Sequence, residues 1–342
     1  AATGDTAVLD EQVPFLLGEP LTEDEEDRYG RYETSSETAS LYEHSCRALE
    51  RAATEGRHGL PLMGAGDWND GMNRVGIEGK GESIWLGWFI GSALQQFAQL
   101  CQQRGDETRA ATFTSQTQAY QLALERSGWD GEWYRRAYYD DGTPLGSQLN
   151  DECRLDAIAQ SWGVLTGLAR PERARQAMQA VEKYLVKEKN RLLLLFTPPF
   201  DKTSRDPGYI KGYLPGIREN GGQYTHAAVW SIWAFAELGA GDKAEALFRL
   251  INPIYRSDSA AKADEYKVEP YVISADVYGV SPYEGRGGWT WYTGSSGWMY
   301  RLGIEGILGL SRHGDKLRLR PQIPTGWPEF VTVAAQPQNA LD

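Results

Sequence analysis

The sequence is poor in cysteine and lacks long apolar runs, and both shortages exclude classes of protein. Among its 342 residues, the three cysteines, Cys46, Cys101 and Cys153, lie far apart without a CxxC pair. Such sparse cysteines favour buried free thiols in a reducing compartment over a disulfide framework. No apolar run approaches the roughly 20 residues that cross a bilayer, and the N-terminus lacks a signal-peptide pattern. The sequence therefore predicts a soluble segment without a membrane span.

Signatures of metal, nucleotide and nucleic-acid binding are also missing. His44, His58 and His313 have no partner at metal-ligand spacing, and neither HExxH nor a P-loop occurs. Lysine and arginine total 35 against 47 aspartates and glutamates, which gives a net charge of −12. No basic run is dense enough to follow a phosphate backbone. We expect no metal site, no nucleotide site and no nucleic-acid partner.

Amphipathic aromatic residues are abundant, with 12 tryptophans and 18 tyrosines against 9 phenylalanines. Rings with an apolar face and a polar edge suit a surface that binds sugar. Core packing also explains such residues, and composition alone leaves both interpretations open. The hydrophobic content of 41% is sufficient for a substantial core, which excludes a disordered chain.

Helical patterns separated by short joints run along most of the chain. Residues 34–37 (TSSE) predict the N-terminal cap of a helix over 38–53, and residues 83–101 predict a helix buried on nearly all sides. Joints rich in Gly, Pro and Asp at 104–106, 170–172 and 239–242 start further helices and recur about every 70 residues. The spacing predicts repeated antiparallel helix pairs.

Helix pairs with long loops at one end are typical of an α/α toroid. Six pairs need about 350 residues or more, and this chain holds about four. We therefore predict an all-α fold, a partial (α/α)6 barrel over residues 1–312 without its N-terminal helices. Residues 316–320 alternate as a half-buried strand does, so 313–342 are expected to begin a truncated C-terminal β-domain. The long loops, rich in Gly, Tyr, Trp and Asp and therefore expected to be functional, are 129–151, 197–224 and 276–297.

One glycine-bounded segment concentrates polar chemistry. GAGDWNDGMNRVG, residues 64–76, contains in succession Asp67, Trp68, Asn69 and Asp70. Two carboxylates three residues apart cannot be assumed to flank a scissile bond from about 5–10 Å apart, as those of a glycosidase do. One acid with one structural partner fits this spacing better. An Asx-type turn, in which the side chains bond the local backbone and bind no ligand, remains the alternative.

Two further segments precede predicted helices and suit an anion. Residues 218–226 (RENGGQYTH) place an arginine, two glycines and His226 at a helix N-terminus. A histidine that is only a structural residue of the first turn is the alternative there. Residues 287–298 (GGWTWYTGSSGW) offer hydroxyl and backbone N–H donors to a phosphate-like oxygen.

Seven motifs occur in a fixed order that indicates a known family. They are GDWNDGMNRVG, GKGESIWLGWF, RRAYYDDGTPLGS, LFTPPFD, DPGYIKGYLPGIRENGGQYTHAAVW, KVEPYVISADVYGV and GRGGWTWYTGSSGWMYR. From about residue 4 to about residue 328 the chain resembles glycoside hydrolase family 94. Within that family it is most similar to the phosphorylase-type C-terminal module of cyclic β-1,2-glucan synthases. The resemblance implies an (α/α)6 catalytic barrel and inverting phosphorolysis of β-glucosides.

The resemblance implies that Asp70, the second aspartate of the WND triplet, is the general acid. One carboxylate is sufficient, because phosphate is already a nucleophile and no second carboxylate has to activate water. Asp70 must carry a proton when substrate binds, which requires burial or a nearby negative charge such as that of Asp67 or phosphate.

The resemblance also implies which residues bind sugar and phosphate. Trp68 and Glu219 are expected to line the sugar site. The charge and position of Arg218 indicate a contact with sugar or phosphate. Those expected to hold phosphate are His226, Thr293 and the Gly294 backbone.

The leading functional hypothesis is the cleavage of β-1,2-glucan with inorganic phosphate as co-substrate and without a cofactor, which releases α-glucose 1-phosphate or runs in reverse. One alternative is action on another β-glucoside such as cellobiose. Another is a non-catalytic glucan-binding fragment, because an upstream arginine segment of the family has no counterpart here. Hydrolysis is a third, with Asp140, Asp141 or Asp276 as the second carboxylate. The resemblance further implies a cytoplasmic module of a bacterial inner-membrane protein.

Overall fold

Helices arranged in consecutive pairs form most of the regular secondary structure of the described residues. The structure is a computed structural model that describes residues 3–22, 25 and 28–331. The helices are α1 (Leu41–Ala52), α2 (Ile84–Gln103), α3 (Glu107–Ala123), α4 (Ala157–Leu165), α5 (Pro171–Leu185), α6 (Thr225–Glu237), α7 (Gly241–Ile251), α8 (Pro253–Arg256), α9 (Ala260–Tyr266) and α10 (Thr293–Arg301), which continues as a π-helical turn over Leu302–Ile307.

Thirteen short strands connect these helices within the described residues. They are β1 (Gln12–Leu17), β2 (Glu33–Ser40), β3 (Glu82–Ser83), β4 (Ala137–Tyr138), β5 (Pro144–Leu145), β6 (Leu155–Asp156), β7 (Val186–Lys187), β8 (Leu192–Leu193), β9 (Phe196–Thr197), β10 (Gln223–Tyr224), β11 (Asp276–Val277), β12 (Leu310–His313) and β13 (Lys316–Leu319). All of their pairings are antiparallel.

The helices form two layers that differ in composition. Helices α2, α4, α6 and α10 pack against one another in that order and make the inner layer. Helices α3, α5 and α7 each follow an inner helix through a short joint and pack on its outer side. The sequence accounts for this difference, because α6 (THAAVWSIWAFAE) is apolar on nearly all faces whereas α5 (PERARQAMQAVEKYL) has a charged face.

The predicted all-α fold is confirmed, and so are the predicted helix joints. The helix predicted over 83–101 is α2. Asp106 caps α3 by accepting the Arg109 N–H at 3.1 Å, and Pro171 is the first residue of α5. Gly241 begins α7. The helices of the described residues do not close a ring, and an open ring is what a partial barrel predicts.

The predicted helix start at residues 34–37 is wrong. These residues lie in β2, which pairs with β1, and the helix begins only at Leu41. Its cap is Ser40, whose hydroxyl accepts the Glu43 N–H at 3.2 Å. The sequence contains two capping patterns in succession, TSSE and SLYE. Pairing with the apolar β1 strand holds the first pattern in the extended conformation of a strand, so the second pattern caps the helix.

Two-residue strands fix the long loops at the N-terminal ends of the inner helices. Strand β3 precedes α2 and pairs with β4, β6 precedes α4 and pairs with β9, and β10 precedes α6 and pairs with β11. Strands β4 and β11 belong to the loops predicted over 129–151 and 276–297. These loops therefore meet at one end of the helix layers.

The strand predicted over residues 316–320 is confirmed as β13, but its expected half-burial is wrong, because all four residues of β13 are exposed. It forms a hairpin with β12, in register from Leu310 opposite Leu319 to His313 opposite Lys316. Residues 332–342, the end of the predicted β segment, lie outside the described part of the chain.

The three cysteines match the prediction of buried thiols. All three cysteines are buried and free. Within the described ranges, no helix combines the length and the apolar character needed to cross a bilayer.

Candidate active site

A cavity of about 440 Å³ opens where α6 and α10 begin. Its walls come from the glycine-bounded segment of residues 64–76, from the loop before α6 and from the loop before α10. The residues that line it are Asp67, Trp68, Asn69, Asp70, Tyr209, Tyr213, Arg218, Glu219, Tyr224, His226 and Tyr292.

The structure brings the predicted site residues together. Trp68, Asp70, Arg218, Glu219 and His226 all line this cavity. The two remaining ones, Thr293 and Gly294, are the first residues of α10. A Cβ atom placed on Gly294 would lie 3.7 Å from Cε1 of His226, so the start of α10 adjoins the imidazole. Their individual roles remain predictions.

The segment before the cavity forms the Asx-type turn that its sequence suggests. Asp67 Oδ1 accepts the Asn69 N–H at 3.0 Å, and Asn69 Oδ1 accepts the Gly71 N–H at 3.2 Å. Gly66 has φ of +127°, and a Cβ there would lie 3.2 Å from Cα of Asp70. Only glycine combines that backbone conformation with such a close approach. The Asx-type turn and the predicted catalytic acid are therefore compatible interpretations of this segment, since Asp67 and Asn69 shape the turn and the Asp70 side chain is exposed.

Asp67 anchors this turn through a buried ion pair. Its two carboxylate oxygens each accept from Arg136 at 2.6 Å, and both side chains are fully buried. The Ser83 hydroxyl, which caps α2, donates to Asp67 at 2.6 Å. Burial alone would raise the pKa of Asp67, but the Arg136 guanidinium and the Ser83 hydroxyl hold it below its ordinary value. Arg136 compensates the charge of Asp67, which is therefore a poor source of negative charge for Asp70.

Arg136 also connects the turn to α4. Its Nε lies 3.4 Å from Oδ2 of Asp156, whose other oxygen caps α4 by accepting the Ile158 N–H at 2.9 Å. Burial raises the pKa of Asp156 to about 6, although the Arg136 charge opposes this shift. One buried guanidinium thus links the acid-bearing turn to the ends of two inner helices.

Tyr209 contacts the predicted acid. Burial and the nearby Asp70 carboxyl group raise the pKa of Tyr209, so the phenol stays protonated beside the predicted acid. The adjacent Gly208 has φ of +116°, and a Cβ there would lie 2.2 Å from Oδ1 of Asn73. Glycine is therefore required for this loop to bring Tyr209 against the acid-bearing turn.

Trp68 joins the turn to the start of α6. Its ring meets His226 edge-on at a centroid distance of 5.8 Å and packs at 5.2 Å against Trp230. Trp230 is buried, whereas Trp68 keeps part of its surface in the cavity. This placement suits an apolar wall beside a bound sugar.

Buried polar atoms without partners lie at the starts of α6 and α10 in the described part of the chain. Among the described residues, Nε2 of His226 and the hydroxyls of Thr225 and Ser295 have no hydrogen-bond partner. Unpaired buried polar atoms are costly, and helix N-termini present further free N–H groups. An anion such as phosphate would form hydrogen bonds with these side chains and with the free N–H groups of the helices.

The pH dependence of stability tests the burial of His226. Burial lowers the pKa of His226 from 6.5 to about 4. Because this value lies below that of the unfolded chain, the unfolded chain takes up the proton first, and stability falls as the pH drops through this window. We expect His226 to account for a loss of at most about 3 kcal/mol in the free energy of unfolding. Chemical denaturation between pH 7 and pH 4 should show a smaller loss in His226→Asn, and parallel curves would contradict this prediction.

Arg218 and Glu219 form an ion pair in the cavity wall. Nε of Arg218 lies 3.3 Å from Oε2 of Glu219, and the guanidinium packs over the rings of Tyr213 at 4.7 Å and Trp289 at 5.4 Å. Oε2 of Glu219 is buried without a hydrogen-bond partner in the described part of the chain. It can therefore accept a hydrogen bond from a sugar hydroxyl.

The three carboxylates considered for hydrolysis lie outside the cavity wall. Asp140 accepts the backbone N–H groups of its neighbouring loop, and Asp141 pairs with Arg205 at 2.7 Å. Asp276 is buried in β11, where it accepts the Arg218 N–H at 2.9 Å, and burial raises its pKa. Among the described residues, the carboxylates that line the cavity are Asp67, Asp70 and Glu219.

Two residues of the candidate site, Tyr209 and Arg136, were not predicted from the sequence. Tyr209 lies within one of the seven motifs, but only the fold brings it against Asp70. Arg136 lies in another motif, and nothing in its local sequence shows that it is buried against Asp67. In the described residues, no group of three or more His, Cys, Asp or Glu side chains could hold a metal ion.

Comparison with known proteins gives consistent matches. Residues 2–309 match the catalytic-domain model of the glycosyl hydrolase 94 superfamily. The chain is 51% identical, over 96% of its length, to the cyclic beta-(1,2)-glucan synthase NdvB of Rhizobium meliloti (strain 1021). It is 35% identical over 96% of its length to the solabiose phosphorylase of Paenibacillus borealis, and 31% identical over the same share to the N,N'-diacetylchitobiose phosphorylase of Vibrio proteolyticus. It spans 12% of the synthase, 40% of the solabiose phosphorylase and 38% of the chitobiose phosphorylase.

Proposed function

Since the chain belongs to the glycosyl hydrolase 94 superfamily, we propose that it cleaves β-1,2-linked glucan with inorganic phosphate, releasing α-glucose 1-phosphate, or extends glucan in reverse. The chain is a carbohydrate-active enzyme domain of the glycosyltransferase type. The observation that carries the proposal is that the exposed Asp70 and His226, whose Nε2 has no hydrogen-bond partner among the described residues, line one cavity. The acid and the anion site can therefore act on the same glycosidic bond.

Each group has a separate part in the proposed reaction. Asp70 gives its proton to the glycosidic oxygen as the bond to the anomeric carbon breaks. A phosphate oxygen, held at the starts of α6 and α10, forms the new bond from the opposite face of the sugar. Attack from that face converts a β-glucoside into an α-phosphate. No second carboxylate is needed, which agrees with the compensated state of Asp67.

The linkage is proposed from the degree of similarity. The relative that shares 51% of its residues with the chain is named for β-1,2-glucan, whereas the relatives named for other disaccharides share 35% or less. We propose glucan and phosphate as the only substrates, without a cofactor, and activity as a module of a longer glucan-processing protein.

Product analysis of the full chain tests this proposal. Linear β-1,2-gluco-oligosaccharides are incubated with and without inorganic phosphate, and α-glucose 1-phosphate and free glucose are measured separately. The expected result is α-glucose 1-phosphate only when phosphate is present. Free glucose formed without phosphate would instead indicate hydrolysis.

A panel of linkages separates the remaining alternatives. Cellobiose and other β-linked disaccharides are supplied under the same conditions. Faster turnover of one of these disaccharides would identify it as the preferred substrate, while the proposed reaction type would remain phosphorolysis. Glucan binding without any turnover at saturating phosphate would identify a non-catalytic binding module.

A further inference from the structure

A group of exposed aromatic rings lies outside the cavity on the loop before α10. Tyr271 is 75% exposed, Trp289 67% and Trp291 65%, and we call these three residues the aromatic rim. Large aromatic side chains are normally buried, because their apolar area is costly to leave in water. Tyr271 and Trp291 meet edge-on at 6.2 Å, and Trp289 lies two residues from Trp291 on the same loop, and neighbouring exposed rings of this kind are typical of a binding site.

The aromatic rim is continuous with the cavity. The ring of Trp289 packs on the guanidinium of Arg218, which lines the cavity. Trp291 is followed directly by Tyr292, whose hydroxyl lies 2.9 Å from that of Tyr224 in the cavity wall. A ligand that extends out of the cavity past Arg218 would therefore reach the rim.

The rim is held in place by defined contacts. The Ala275 N–H donates to the Trp289 carbonyl at 2.6 Å, and the Tyr292 N–H donates to the Ile273 carbonyl at 3.1 Å. Trp291 has φ of +59°, a conformation that a bulky residue rarely adopts and that is concentrated at functional sites. Its indole N–H donates to Glu269 Oε1 at 3.4 Å, and its ring meets Tyr271 edge-on at 6.2 Å. The ring is thus both exposed and oriented.

We infer that the aromatic rim binds glucose units of the glucan chain that lie beyond the bond cleaved at Asp70. A sugar ring has apolar C–H faces and hydroxyl edges, and the rim offers aromatic rings together with the Glu269 carboxylate as acceptor. The net charge of −12 disfavours a polyanion at this surface. The inference rests on the proposed function, because it assigns a second contact area to the same glucan.

The dependence of turnover on chain length tests the rim. Trp291→Ala should lower kcat/KM for long β-1,2-gluco-oligosaccharides about tenfold, the loss expected for one aromatic contact, and leave the β-1,2-linked disaccharide unaffected. Tyr271→Ala should show the same pattern more weakly. Tyr300→Ala is the control, because Tyr300 on α10 is 71% exposed and lies outside both the rim and the cavity wall. Equal losses for short and long substrates, or none, would overturn the inference.

A binding measurement separates this inference from the proposed function. Calorimetric titration of the full chain with a long linear β-1,2-glucan, in buffer without phosphate, requires no turnover. Weaker binding by Trp291→Ala with an unchanged melting temperature supports the rim even if the wild type shows no phosphorolysis. If the wild type shows phosphorolysis and the variant binds glucan as well as the wild type does, the inference that the rim binds glucan is refuted and the proposed function is not. Loss of a dimer in the variant, with glucan binding intact, would instead identify an interface between two copies of the chain.

Discussion

Replacement of Asp70 by asparagine should lower kcat for phosphorolysis by a factor of about 10²–10⁴, the usual contribution of a general acid. Asparagine preserves the size and polarity of the side chain but has no acidic proton to give to the leaving oxygen. The measurement is the initial rate of α-glucose 1-phosphate release at saturating glucan and phosphate. Affinity for glucan should change little, because Asp70 is exposed and the turn is anchored by Asp67.

Two comparisons show whether the loss arises from the missing proton. Asp141→Asn is the matched control, because it makes the same change at an exposed carboxylate paired with Arg205 outside the cavity wall, and its rate should remain that of the wild type. β-Glucosyl fluoride has a leaving group that needs no protonation, so Asp70→Asn should recover much of its rate with this substrate. An equal loss with fluoride and with glucan would mean that Asp70 is not the acid.

The sequence predicts those parts of the site whose conformation is determined by residues close together along the chain. Glycines around residues 64–76 permit only a turn, and its Asp and Asn side chains bond the adjacent N–H groups as such turns do. The helix joints were likewise predictable, because Asp106 and Pro171 act within one helical turn of their own positions. The family resemblance supplied the residues of three distant segments that the fold then places around one cavity.

Contacts between distant segments could not be predicted in the same way. Arg136 lies 69 residues from Asp67, and only folding converts an ordinary arginine of a loop into a buried partner of that carboxylate. The helix start at residues 34–37 failed for a related reason, since pairing with β1 outweighs a local capping pattern. Both outcomes depend on tertiary partners that a single sequence does not specify.

The abundance of tryptophan illustrates the same limit. Composition left core packing and sugar binding open, and the structure places different tryptophans in different surroundings. Trp88 and Trp133 are buried in the core, Trp68 lies in the cavity wall, and Trp289 and Trp291 are exposed beside it. The spacing of tryptophans along the chain does not distinguish these positions, because burial is decided by which helix or loop covers each ring.

Replacement of Arg136 by methionine should lower the free energy of unfolding by about 3–5 kcal/mol, the cost of removing one partner of a buried ion pair. Methionine fills much of the volume but leaves the carboxylates of Asp67 and Asp156 buried without their cation. Chemical denaturation at neutral pH measures the change. Arg205→Met is the control, because its exposed pair with Asp141 should contribute no more than about 1 kcal/mol.

The pH dependence of this loss distinguishes charge from packing. Burial raises the pKa of Asp156 to about 6 against an ordinary value of 3.8, so the folded protein takes up that proton first and is stabilised as the pH falls between these values. Without Arg136 the pKa of Asp156 should rise further and that of Asp67 should rise from its lowered value, so the deficit of Arg136→Met should shrink between pH 7 and pH 5. The double variant Asp67→Asn with Arg136→Met should be more stable than Arg136→Met alone. A deficit that stays constant with pH would mean that the lost packing of Arg136, rather than its charge, stabilises the turn that carries Asp70.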